Sequence, residues 1–172
     1  MSQNYLRQDG ATGRAGTPLP AAIKTSLPQR RGLQHTPPSW IKGSPVFFIT
    51  QCAAQRAIST LCNEETARSI FGAASNYHDR HRWYIHLLLL MPDHLHALIS
   101  FPKIESMSQV IRSWKHYLSK QHGLKWQRDY FDHRIRDHAG LQEKGAYIRA
   151  NPVRAGFVAN PGQWRFVWAP GR

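Results

Sequence analysis

One stretch limits the fold of this chain more than any other: RWYIHLLLLMPDHLHALISF, Arg82 to Phe101. Two apolar runs are separated by Pro92 and Asp93, residues that favour a tight turn. The first run, Ile85 to Met91, is too short to span a bilayer and reads as a buried strand. The second, His94 to Phe101, reads as its hairpin partner. A hairpin this apolar is not stable alone in water, so it calls for further strands and for helices packed on a face.

The flanking sequence supplies them. VFFITQCA, Val46 to Ala53, is β-branched and aromatic, the composition of a strand. Asn63 precedes Glu64 and Glu65, a cap with acids in the first turn of a helix. Ala67, Ile70, Phe71, Ala74 and Tyr77 continue at helical spacing. Ser106 with Gln109 has the spacing of a capping box. Met107, Val110, Ile111, Trp114 and Leu118 then mark a helix ending before Gly123, with Tyr117 expected in its core stripe. Lys125 to Gly140 reads as a long polar segment. A last helix is expected from about Leu141 to Ala150, stopped by Pro152. Strand, helix, hairpin, helix predicts an α+β sandwich: an antiparallel sheet with helices on one face.

Charge points to the partner. The chain has 23 Lys and Arg against 10 Asp and Glu, a net +13 that favours a polyanion, most simply nucleic acid. Residues 45–102 balance four basic against four acidic residues, whereas residues 103–172 carry thirteen against five. The first 44 residues hold five prolines, five glycines, six basic residues and one acid, with no periodicity. They predict a flexible, disordered basic arm over residues 1–38, followed by one folded domain over 39–172. Cys52 and Cys62 have no CxxC or zinc spacing and are expected to be reduced, buried and apolar in role. With no signal peptide and no membrane span expected, the predicted location is cytoplasmic, at the nucleoid.

Strand side chains alternate faces, so His94 and His96 point the same way and Leu95 the opposite way. The pair is either a place for a metal ion or two solvent-facing imidazoles in a chain with ten histidines. Tyr147 and Asn151, four apart, share one face near the end of the last helix, displaced from the interior stripe of Leu141, Gly145 and Ile148. They read either as reactive groups or as ordinary helix-end residues.

The blocks MPDHLH, WQRDYFDHRIRD and YIRANPVRAGFV, in this order, resemble the REP-associated tyrosine transposases, within the histidine–hydrophobic–histidine (HUH) single-tyrosine transposase superfamily. The resemblance covers about Ser39 to Trp168. It implies a ferredoxin-like (RRM-like) palm, His94, His96 and Asn151 as metal ligands, Mg2+ or Mn2+ as cofactor, and Tyr147 as nucleophile. The implied activity is that of a single-stranded DNA endonuclease and strand transferase on hairpins of palindromic repeats, passing through a 5′-phosphotyrosine. Asp93 is a weaker candidate beside the metal ligands.

For DNA contact the sequence offers Arg112, Lys115 and Lys120 on the second helix, Arg128, Arg134 and Arg136 in the polar segment, and Arg149 and Arg154 near the tyrosine. Trp126, Tyr130 and Phe131 read equally as bases' stacking partners or as pins holding a loop on the sheet. Two other functions stand beside the transposase: a domesticated, non-catalytic nucleic-acid-binding protein on the same palm, and a metal-dependent phosphoesterase without a covalent tyrosine. The sequence leaves monomer or homodimer open.

Overall fold

The hairpin forms where the sequence places it. In the computed structural model, which describes residues 39–55 and 61–170, β2 (Tyr84–Leu90) pairs antiparallel with β3 (His94–Ser100). The register runs from Leu90 opposite Leu95 to Tyr84 opposite Ser100, with a bulge between Ile85 and Leu87 that leaves His86 as the extra residue. The expected arm, 1–38, lies outside the described residues.

β1 (Val46–Cys52) pairs along the other edge of β3, Val46 opposite Ser100 and Cys52 opposite His94. β3 therefore has a partner on both edges. β4 (Phe131–Ile135) flanks β1, and the two-residue β5 (Val167–Trp168) flanks β2, giving the order β4-β1-β3-β2-β5. With α1 (Glu64–Asp79) and α2 (Met107–His122), the first four strands form the β-α-β-β-α-β ferredoxin-like arrangement.

The Asn63 cap is present: its side chain accepts a bond from the Thr66 amide. Ser106 caps α2 by position but not by side chain; its hydroxyl meets that of Ser108 instead. Gly123 closes α2 in the left-handed conformation, which glycine adopts without strain.

The sheet is covered on both faces. α1 and α2 take one, packing Ile70, Val110, Trp114 and Leu118 on Ile49, Ile85, Leu88, Leu95, Ala97 and Ile99. That half follows the expectation of helices on one face. α3 (His138–Arg154) instead covers the other face, where fully buried Ile148 joins Phe48, Leu87, Leu89, Met91 and Leu98. The reason lies in Leu87 and Leu89 of β2 and Leu98 of β3, which face that side and need a layer over them. Each such Leu or Ile contributes roughly 1.5–3 kcal/mol by leaving water.

Four further expectations are corrected. The polar segment contains β4, whose register on β1 holds it as an edge strand although only Ile135 is buried. Pro152 lies inside α3 rather than ending it. It lacks the N–H that would reach the Ile148 carbonyl, and the Asn151 side-chain amide donates towards that carbonyl at 3.5 Å and to the Tyr147 carbonyl at 3.1 Å. Tyr117 is 43 % exposed at the margin of the α2 stripe, edge-on to His122. Cys52 and Cys62 are reduced as expected but half-buried, and the Cys62 thiol donates to the Leu90 carbonyl. No helix among the described residues is long and apolar enough to cross a membrane.

Candidate active site

His94 and His96 project from the central strand towards the α3 layer, as their spacing predicts. Their Nε2 atoms are 3.2 Å apart. Each ring is held from behind at Nδ1: His94 by the Asp93 carboxylate at 2.6 Å, His96 by the Thr50 hydroxyl at 2.8 Å. Thr50 is there because β1 pairs it directly with His96. The Asp93 carboxylate accepts, so His94 Nδ1 carries a proton. One further proton lies in the Nε2–Nε2 contact between the rings.

Phe48 organises the ring contacts. It stacks on His96 with centroids 5.4 Å apart, and the Tyr147 ring stands edge-on to Phe48 at 6.2 Å. Tyr147 is also 6.2 Å from the His96 ring while remaining 39 % exposed. Lys144 Nζ lies 5.5 Å from the tyrosine centroid and the Arg154 guanidinium 5.1 Å from it. Burial pushes the His96 imidazole down to about 4; neighbouring His94 acts in the same direction and Asp93 against it. At neutral pH the ring is uncharged, as a metal ligand must be.

The donors fit a divalent cation. Two nitrogens 3.2 Å apart can both lie about 2.1 Å from one ion, and both rings are oriented from Nδ1 in the way that ligating histidines are. Asn151 places its amide nitrogen on carbonyls of its own helix, leaving oxygen as the atom on the opposite side of the group. Among the described residues no three His, Cys, Asp or Glu side chains form a metal cluster. These donors would hold a cation only in part, leaving positions that substrate oxygens and water would fill, unlike a closed structural zinc site.

The expected DNA-contact residues fall into separate groups. Arg154 is at the tyrosine. Arg134 and Arg136 line an open cleft with His133 on β4. Arg128 is 95 % exposed in the loop before β4, and Arg149 is half-buried on α3. Arg112, Lys115 and Lys120 lie on α2, across the sheet from the histidines. Lys115 is largely committed elsewhere: its ammonium donates to the Gln127 and Arg128 carbonyls at 2.6 and 2.8 Å, and burial lowers its pKa. Trp126 and Tyr130 pack against the α1/α2 core, the pinning role. Phe131 does not; it is 59 % exposed on the face of the histidines.

Phe48, Thr50 and Lys144 had not been singled out from the sequence. Lys144 was findable, three residues before Tyr147 on the same helix. Phe48 and Thr50 carry no local signal, because their role comes from the pairing of β1 with β3.

Comparison with known proteins gives the class of this fold. The family described as "Transposase IS200 like" matches residues 49–151, and the chain belongs to that family. The resemblance to REP-associated tyrosine transposases is borne out within it. That of Escherichia coli strain K12 is 29 % identical over 130 residues, covering 74 % of this chain and 77 % of its own. A solved structure titled as a REP-associated tyrosine transposase bound to a REP hairpin has the same fold, with a TM-score of 0.65 and 23 % identity over 72 % of this chain and 76 % of that one.

Proposed function

We propose that this protein is a hairpin-directed, single-stranded DNA endonuclease and strand transferase in which Tyr147 is the nucleophile and His94, His96 and Asn151 hold Mg2+ or Mn2+. One observation carries the reading: an aromatic alcohol lies in ring contact with one of two converging, pre-oriented imidazoles, all in one chain. The description of the structurally similar protein as bound to a REP hairpin supports hairpin DNA as the partner.

The steps follow from the residues. Asp93 and Thr50 fix the two imidazoles so that their Nε2 atoms converge. With Asn151 they would hold a divalent ion, which would supply positive charge to a nonbridging phosphate oxygen and polarise phosphorus. Phe48 sets the angle of the tyrosine ring, while Lys144 and Arg154 place positive charge over that ring, where it favours the phenolate. The Tyr147 Oη–phosphorus bond forms as the phosphorus–O3′ bond breaks; the phenolic proton passes to water, and the leaving 3′ oxygen takes one from water. Attack by another 3′-hydroxyl reverses the step and joins strands without ATP.

A hairpin oligonucleotide of a palindromic repeat, labelled on its 5′-phosphate side and incubated with Mn2+, tests this. Label should stay with denatured wild-type protein, and with Tyr130→Phe and Tyr117→Phe. Tyr147→Phe and His96→Ala should bind the hairpin yet retain no label. Full adduct from Tyr147→Phe would refute the assignment. Binding without adduct in every variant, wild type included, would favour the non-catalytic reading. Cleavage without adduct would favour the phosphoesterase.

A further inference from the structure

Resting on that reading, the geometry points to a nucleobase subsite beside the histidines: we propose that Phe131 is the platform on which the base adjacent to the scissile phosphate stacks. β4 pairs Phe131 with Thr50, and β1 pairs Thr50 with His96. The three residues form one row across the sheet, all facing the α3 side. Phe131 is thus two strand spacings from His96, roughly 10 Å, within reach of a neighbouring nucleotide. Its ring stands edge-on to Phe48 at 6.1 Å, the same ring that stacks on His96 and meets Tyr147.

An apolar side chain left open on an edge strand is otherwise a liability for association. Here a polar ring follows it on the same face: His133, two residues along β4, which with Arg134 and Arg136 lines an open cleft. An exposed aromatic ring on the strand of that cleft suits one base and the phosphate beside it. Its neighbours in sequence, Trp126 and Tyr130, are packed away against the other core. Phe131 is the ring of that segment presented on the catalytic face.

The test reads binding, not cleavage. A hairpin with single-stranded flanks is scanned with 2-aminopurine, one flank position at a time, and bound to Tyr147→Phe protein with or without a second change at Phe131. Quenching is expected at one or two adjacent flank positions, lost with Phe131→Leu and kept with Phe131→Trp. Affinity by fluorescence anisotropy should fall roughly 5- to 100-fold with Phe131→Leu. An abasic site at the quenched position should cost the same, without further loss when both changes are combined. The Phe131→Trp protein, with circular dichroism, guards against misfolding. Quenching unaffected by Phe131→Leu, no quenching at any position, or fully additive losses would each overturn the subsite. Because these readouts are non-covalent, they stand whether or not wild type forms an adduct, and adduct formation alone does not rescue them.

Discussion

Thr50→Val isolates one bond at the histidine pair. Valine keeps threonine's shape but removes the hydroxyl that sits 2.8 Å from His96 Nδ1. With a cation held by both Nε2 atoms, the His96 proton would sit on Nδ1 and the hydroxyl would accept it; where Nδ1 carries the lone pair, the hydroxyl donates. Threonine serves both states by rotating one O–H; valine serves neither. The His96 side is buried, 6 % exposed, so the orphaned Nδ1 should cost about 1–3 kcal/mol of stability. The loaded state loses more, because a bound cation strengthens the Nδ1–H donor, and Mn2+ affinity should fall about 10- to 100-fold. Titration followed by electron paramagnetic resonance of unbound Mn2+, with urea denaturation in parallel, measures both. Thr50→Ser should restore most of each. Mn2+ binding within twofold of wild type in Thr50→Val would refute the tautomer argument.

Two further outcomes follow from other parts of the molecule. Burial, reinforced by His78, pushes the His86 imidazole down to about 4, below the usual 6.5. A lowered pKa in the folded state means that stability is fully present above pH 6.5 and is lost as pH falls towards 4; His86→Gln should flatten urea midpoints compared between pH 7 and 4.5, and an unchanged slope would exclude His86 as a source. Lys115→Met should leave the Arg128 carbonyl without the ammonium and the Gln127 carbonyl with the Gln51 amide alone. It should speed hydrogen exchange across residues 124–130 and cost about 1–2 kcal/mol; protection equal to wild type would show that the ammonium does not hold the loop.

Periodicity made much of this molecule readable. The hairpin, the Asn63 cap and the stripe of α2 each announce themselves within a few residues. The shared face of His94 and His96 needs only the two-residue repeat of a strand, and that of Tyr147 with Asn151 only the turn of a helix. What stayed hidden depends on partners distant in the chain. Phe131, His133 and Ile135 alternate with Asp132 and Arg134, but four of the five are exposed, so pairing with β1 and not burial makes β4 a strand. β5 exists because Leu88 and Leu89 offer it an edge. Pro152 breaks the usual helix rule, and the carbonyl it leaves is approached by a side chain next door. Thr50 is invisible as a site residue because the bond that matters spans 46 positions.

The contact of Tyr147 with His96 inside one chain bears on reaction order. A nucleophile delivered by a second copy makes cleavage bimolecular in protein, so turnover depends on how often two copies meet. Here, under the proposed chemistry, the ring and the imidazoles share a covalent chain and a packed layer. Ile148 and Leu98 hold the tyrosine helix to the very strand that carries the histidines. Under that chemistry the encounter between the two halves of the site would be settled at folding, and strand scission would be first order in protein.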